Sequence, residues 1–283
     1  MTPNEVIAKV KNLPAVSQAA LKLVTLLDQP AVSNEDVVAV LKYDNVLTAK
    51  LLRACNSPYF GFEEEISSVE QAVLVLGHQQ ILHMVLNLAF GGAMSAAMPG
   101  YAIQARELWS HSLAAAAAAE QLAKSSTLVE AEAPVAFTAG LLHDIGKLVL
   151  HQALDPGSQA AVRERGVQNH FSRCMAEQAV LGTDHAEVGA RLLQTWNLPG
   201  EIVEAVAHHH EPVTAPAPKL SAIIHVADCL AHSTDTAPGF ESYSILAEAD
   251  ANQALGITPE KYESLVCSIH LSAGHVEHFM SRA

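Results

Sequence analysis

GLLHDIGKLVLH, residues 140–151, sets an imidazole and a carboxylate side by side, His143 and Asp144, inside an apolar run. Leu141, Leu142, Ile145, Leu148, Val149 and Leu150 around them read as buried helix. Withdrawing both polar groups from water costs several kcal/mol unless something compensates. Either they cap and pair locally, or a cation sits with them. The spacing also decides the fold class, because apolar residues recur three and four apart along the whole chain and strand-like alternation is missing. An all-α fold is expected.

Outward from this run, the start and stop signals are helical. Ser33-Asn34-Glu35-Asp36 opens DVVAVLKY, and Ser67-Ser68-Val69-Glu70 reads as a capping box before QAVLVLG. Asn56-Ser57-Pro58 ends LTAKLLRAC, and Gly77 punctuates the next helix. GGAMSAAMPGY, residues 91–101, is the clearest boundary. It divides the chain into an N-terminal helical part, 1–98, and a second, 102–283, whose helix begins near Ile103. Two further loops are expected at 211–219 and 234–244. The length of 283 residues agrees with two parts at roughly 150 residues per domain.

Composition excludes several functions. Thirty acidic against 16 basic residues give a net charge of −14, without the clustered Lys and Arg that a grip on a nucleic-acid polymer needs. Cys55, Cys174, Cys229 and Cys267 have no Cys-x-x-Cys spacing and read as free thiols of a reducing compartment. No Asp, Glu, Lys or Arg falls between Glu70 and Arg106, but Gly77, His78, Gln79, Gln80, His83 and Asn87 interrupt that passage. Buried helices are expected there, with no membrane partner and a cytoplasmic location.

Histidines and carboxylates concentrate in the second part. Glu107 and His111 lie one helical turn apart, and Lys147 follows His143-Asp144 by a turn. His185 opens an amphipathic helix, AVAHHHEP carries His208, His209 and His210, and Asp228 interrupts the apolar HVADCLAH. Each has a plain explanation alone. Together, imidazoles and carboxylates on separate helical segments suit transition metals better than Ca²⁺, which prefers oxygen donors. Spacing leaves their convergence open.

His111, His143-Asp144 and Asp228 resemble the H…HD…D signature of HD-domain metal-dependent phosphohydrolases. NLPAVSQAALKLVTLL, LTAKLLRACNSPYFG and ISSVEQAVLVLG, followed by LLHDIGKLVL, DHAEVGARLLQTWNLP and HHHEP, resemble the HDOD family in particular, over about residues 10–240. That resemblance implies a bacterial signal-transduction or regulatory module with a protein partner, and an HD-like helical bundle in the second part. HDOD proteins often lack HD ligands, whereas this chain keeps His111, His143, Asp144 and Asp228. It also carries Glu107, His185, His209 and His210, which match further ligand positions of the HD-GYP phosphodiesterases, with His208 as a neighbouring supporting group. Lys147 resembles their phosphate-contacting lysine. PVTAPAPK stands where their Asp-Gly…Gly-Tyr-Pro loop would follow, which counts against cyclic dinucleotide hydrolysis.

The resemblance therefore implies a divalent transition-metal site, with two ions of Fe, Mn or Zn, and with Asp144 bridging them. Three activities are compatible with it. One is regulation through a protein partner. The second is hydrolysis of a phosphoester or nucleotide ligand by a metal-bridging hydroxide, with Asp144 and Lys147 as the catalytic groups. The third is a di-iron, oxygenase-like redox site.

Overall fold

A computed structural model describes residues 1–10, 16–29, 31–125, 133–169, 172–212, 218–234, 251–252 and 255–280. Among these residues there is no strand, only an isolated antiparallel bridge between Met98 and Ile103. The chain is all-α. Residues 213–217 and 235–250, which hold most of the two expected loops, lie outside the described residues.

Two compact units divide the chain. One comprises Pro14–Ala93 with His275–Ala283, the other Met1–Leu13 with Met94–Gly274. The first contains α2 (Gln18–Leu27), α3 (Asn34–Leu41), α4 (Asn45–Cys55) and most of α5 (Val69–Met94). Its caps interlock. Ser17 accepts from the amides of Ala19 and Ala20 at the start of α2, and its hydroxyl donates to Asp44, which caps α4 through the Leu47 amide at 2.9 Å. Ser33 and Asp36 form the expected capping box on α3. At α5 the cap is one residue later than expected. Ser68 receives the Gln71 amide, and Gln71 reaches back to the Ser67 amide, so Glu70 takes no part. Gly77 punctuates α5 as expected: its φ of 74° and ψ of 167° are non-helical and divide Val69–Met94 into two helices across a kink.

The second unit begins with α1 (Pro3–Lys9), which packs against α8 (Ile145–Ala153) and α11 (His185–Thr195), so residues 1–13 group with the later helices rather than with residues 14–93. A short 3-10 turn at Pro99–Tyr101 leads into α6 (Glu107–Ser125). α7 (Ala133–Leu142) lies along α6, and the alanine run explains how closely. Ala114, Ala115, Ala116, Ala118 and Ala119 are fully buried, and a Cβ at Gly140 would stand 2.9 Å from the Ala115 carbonyl oxygen and 3.0 Å from Ala119 Cβ. Small side chains on both helices bring their backbones together. Then come α9 (Pro156–Asn169), α10 (Arg173–Leu181), α12 (Gly200–Ala207), α13 (Pro218–His232) and a C-terminal helix at Pro259–Met280. α13 covers α6 from another side and also touches α7 and α12.

Val69–Met94 and Ala133–Ala153 are long and apolar enough to cross a membrane by length and composition. In the second, 94% of the apolar window is buried in the protein, and the first is kinked at Gly77. Cys55 and Cys229 are buried, Cys174 is half-buried and Cys267 is exposed, and burial pushes the Cys55 thiol up to about 11.

Candidate metal centre

His143 and Asp144 do not sit within one helix. α7 ends at Leu142 and α8 starts at Ile145, so the pair forms the turn between them. Adjacent positions of a continuous helix point about 100° apart, whereas the break lets both side chains face the same interior space. Asp144 occupies the N-cap position of α8, yet its side chain caps nothing there. Its carboxylate goes to the interior, where Lys147 Nζ donates to Oδ2 at 2.8 Å. Gly146 makes the next approach. A Cβ there would fall 1.8 Å from the His185 carbonyl oxygen, so α8 meets the first turn of α11 backbone to backbone. That contact places His185 Nε2 3.4 Å from Asp144 Oδ1.

Three more helices complete the cluster. α6 contributes His111, the turn after α12 contributes His209 and His210, and α13 contributes Asp228 and His232. His111 Nε2 lies 3.0 Å from Asp228 Oδ1 and 3.7 Å from Asp144 Oδ2. His143 Nε2 is 3.4 Å from each carboxylate. His210 Nε2 faces His185 Nε2 at 2.8 Å, and its ring centroid is 4.0 Å from that of His209. Asp144 is central, with one oxygen toward His185 and the other toward His111, His143 and Lys147.

The imidazoles are oriented from behind. His143 Nδ1 donates to the Gly140 carbonyl at 2.8 Å, and His209 Nδ1 to the Val206 carbonyl at 2.7 Å. His185 Nδ1 donates to Glu177 Oε2 at 2.7 Å. A carbonyl or carboxylate in that place fixes the tautomer, so each neutral ring presents its Nε2 lone pair to the interior. Glu177 is itself fully buried and accepts from the His185 amide and from the Tyr101 hydroxyl at 2.8 Å each. The Arg173 guanidinium stacks 4.5 Å over the Tyr101 ring. His225 Nδ1 holds the His209 carbonyl at 2.8 Å, which steadies the turn carrying the paired histidines.

Interior lone pairs facing carboxylate oxygens repel unless positive charge lies between them. Both ring nitrogens of His111, His143 Nε2, His209 Nε2, Asp144 Oδ1 and Asp228 Oδ1 are buried without a hydrogen-bond partner. Such orphaned groups are rare in folded proteins and call for an ion or a proton. The titration behaviour shows the same need. Burial opposes charge on His143, but Asp144 and Asp228 outweigh it and the ring is pushed up to about 10. Burial, helped by His232, pushes His111 down to about 4. Burial with His143 and His185 nearby pushes His209 down to about 3, and burial with His209 and His185 nearby holds His210 well below its usual value. Burial also opposes ionisation of Asp144 and Asp228, yet the surrounding His143, Lys147, His232 and His111 keep both carboxyls well below their ordinary range. Neutral imidazole and ionised carboxylate are the ligating forms, and this donor set fits divalent transition metals.

Of the residues singled out from sequence, His111, His143, Asp144, Lys147, His185, His209, His210 and Asp228 come together. Glu107 does not. Its carboxylate accepts from the Gln104 amide at 2.7 Å and closes the start of α6 locally. His208 turns outward to Glu204 at 3.5 Å. His232 and Glu177 are among the residues around the cluster that the sequence alone does not single out. His232 had a signal, the same four-residue spacing from Asp228 that singled out Glu107 and His111. Glu177 had none, because a glutamate in an amphipathic helix declares its burial only once α10 is packed.

A surface cleft of about 770 Å³ reaches His210, and its lining carries Asp184, Glu187 and Glu211 but no Lys or Arg.

Relatives share this architecture. An HDOD domain protein of unknown function from Geobacter sulfurreducens is 25% identical with a TM-score of 0.72, the match covering 99% of this chain and 95% of that one. The "Putative phosphohydrolase" from Shewanella amazonensis SB2B is 27% identical with a TM-score of 0.70, covering 99% and 98%. An uncharacterized protein of Treponema pallidum (strain Nichols) is 24% identical over 208 residues, 74% of this chain, which spans about two-fifths (39%) of that relative's length. The HDOD domain family model matches residues 13–212, and the chain belongs to the HDOD domain family.

Proposed function

We propose that this chain is a metal-binding HDOD regulatory protein of the cytoplasm, whose HD-type cluster holds two divalent transition-metal ions and whose metal state is read by a protein partner. The observation that carries the metal reading is the inward convergence of tautomer-fixed histidine nitrogens on two ionised carboxylates, all buried and several without a hydrogen-bond partner. His185, His209 and His210 with Asp144 Oδ1 would hold one ion, and His111, His143, Asp228 and Asp144 Oδ2 the other. Bound there, such ions supply Lewis acidity toward an oxygen ligand.

Two observations favour regulation over turnover. The Lys147 ammonium is buried and committed to Asp144, and the cleft at His210 is acidic, so the protein's own charge repels a phosphate that approaches by that route. Exposed apolar side chains on the first unit, Tyr43 and Val46, support a protein partner. The second reading is a phosphohydrolase, favoured by Lys147 beside the cluster and by the 27% identity to the "Putative phosphohydrolase" of Shewanella amazonensis SB2B. In it, Lys147 moves from Asp144 to a substrate oxygen as a point charge.

Elemental analysis of the purified protein tests the metal reading. Stoichiometric Fe, Mn or Zn that is lost in Asp144→Ala and His209→Ala supports it. Metal-free wild-type protein, after growth with and dialysis against each ion, would refute it. A phosphoester screen of the loaded protein separates the two readings, since turnover that depends on Lys147 favours the hydrolase. Cross-linking to candidate partners tests the regulatory part, which predicts links at the α3–α4 surface.

A further inference from the structure

α13 brings a second donor to the cluster that neither of the two ion positions above uses. His232 stands one helical turn after Asp228, on the same face, with its Nε2 3.3 Å from Asp228 Oδ1 and its side chain only 4% exposed. Its ring centroid lies 4.6 Å from that of His111 on α6. One ligand atom from each of His111, Asp228 and His232 lies within 4.8 Å of the others. Ligands at about 2.0–2.2 Å from a common ion sit at such separations.

His111 is the distinctive member. The rings of His143, His185 and His209 each have Nδ1 tied to an acceptor, whereas both nitrogens of His111 are buried and without a hydrogen-bond partner, as is Asp228 Oδ1. His111 thus stands beside both His143 and His232, with ring centroids 5.3 and 4.6 Å away, and its Nε2 and that of His232 approach the same Asp228 oxygen at 3.0 and 3.3 Å. The carboxylate one turn before it on α6, Glu107, is engaged with the Gln104 amide, so α13 supplies the third donor and supplies it as nitrogen.

We propose that His232, with His111 and Asp228, forms a further cation position between α6 and α13, selective for nitrogen-preferring metals. Two imidazoles and one carboxylate suit Zn²⁺, Co²⁺ or Ni²⁺ better than Mg²⁺ or Mn²⁺. The inference rests on the metal-binding reading of the cluster as a whole.

The full chain is stripped with chelator, loaded with Co²⁺, and followed by visible absorption and elemental analysis. His232→Ala and His232→Gln are compared with wild type, the glutamine variant keeping a polar side chain in case alanine disturbs packing. Loss of about one equivalent of tightly held Co²⁺, with a change in the visible band in both variants, supports the position. A greater loss of retained Zn²⁺ than of Mn²⁺ in the same variants supports its selectivity. Wild-type content, band and chelator resistance in folded His232→Gln would overturn the proposal while leaving the other positions standing. A wild-type protein that takes up no Co²⁺ at all overturns the underlying metal reading and this proposal with it. His209→Ala separates the positions, because it should spare the Co²⁺ that depends on His232.

Discussion

Gly146→Ala should damage both the stability of the second unit and its metal cluster, although the substitution touches no ligand side chain. The added Cβ would stand 1.8 Å from the His185 carbonyl oxygen, 2.7 Å from its carbonyl carbon and 2.8 Å from the Gly189 nitrogen. Carbon and carbonyl oxygen rarely approach closer than about 3.3 Å, so α8 and α11 must separate by on the order of 1.5 Å at this crossing. The atoms met are backbone, so no rotamer change relieves the clash. Overpacking of this kind costs about 1–3 kcal/mol. At roughly 2–4 °C per kcal/mol for a unit of this size, the melting temperature should fall by about 2–12 °C. The same separation moves His185 away from Asp144, and metal geometry tolerates only about 0.2 Å. Thermal unfolding by circular dichroism reads the first effect, and a competitive chelator titration reads the second. Gly189→Ala is the internal comparison, since its nearest contacts are Gly146 N at 3.2 Å and Ile145 Cγ2 at 3.4 Å, and it should cost less. A Gly146→Ala protein that melts within about 1 °C of wild type and binds metal as tightly would refute the close-crossing argument.

Three further outcomes are expected. The metal-free protein should be most stable near the ordinary histidine pKa and lose stability on both sides. Below it, the unfolded chain takes up protons that His111 (about 4) and His209 (about 3) refuse when folded. Above it, the advantage of the proton on His143 disappears as the pH rises toward about 10. Urea midpoints across pH check this, and a flat profile from pH 5 to 9 would contradict it. Glu177→Gln should weaken metal binding by about 10–100-fold, because His185 loses its charged acceptor, and should cost about 1–3 kcal/mol at a buried site. Unchanged metal affinity in a calorimetric titration would remove its positioning role. Asp44→Ala should destabilise the first unit by about 1 kcal/mol through loss of the α4 cap. The Ser17 hydroxyl and the Leu47 amide hold the Asp44 carboxyl below its usual range, so this contribution is present above the unfolded pKa and vanishes as pH falls through the folded one. Equal denaturation midpoints for variant and wild type at neutral pH would refute it.

Local chemistry was legible in the sequence wherever a few neighbouring residues settle it. Ser33 and Asp36 cap a helix because both hydrogen bonds close within four residues. The chemical character of the centre was legible too, since buried imidazoles and carboxylates need a counter-charge wherever they meet. Where packing competes with pattern, the pattern misleads. LLHDIGKLVL has helical periodicity without a proline, so the turn at His143 and Asp144 cannot be seen until Gly146 is pressed against α11. Glu107 and His111 share a helical spacing, but a backbone amide at Gln104 captured the carboxylate first. Tyr101 and Glu177 meet across 76 residues, a separation at which no motif is readable.

The acidic cleft beside His210 has a kinetic consequence. Asp184, Glu187 and Glu211 raise the local concentration of cations beside His210, the cluster residue that lines this cleft. Metal should load faster at low ionic strength than at high, with Glu187→Gln and Glu211→Gln slowing uptake while leaving the final occupancy nearly unchanged. A stopped-flow record whose rate ignores both salt and these carboxylates would mean that ions arrive by another path. If the dependence holds, the surface charge that discourages a phosphate visitor also sets how quickly the protein responds when the supply of metal changes.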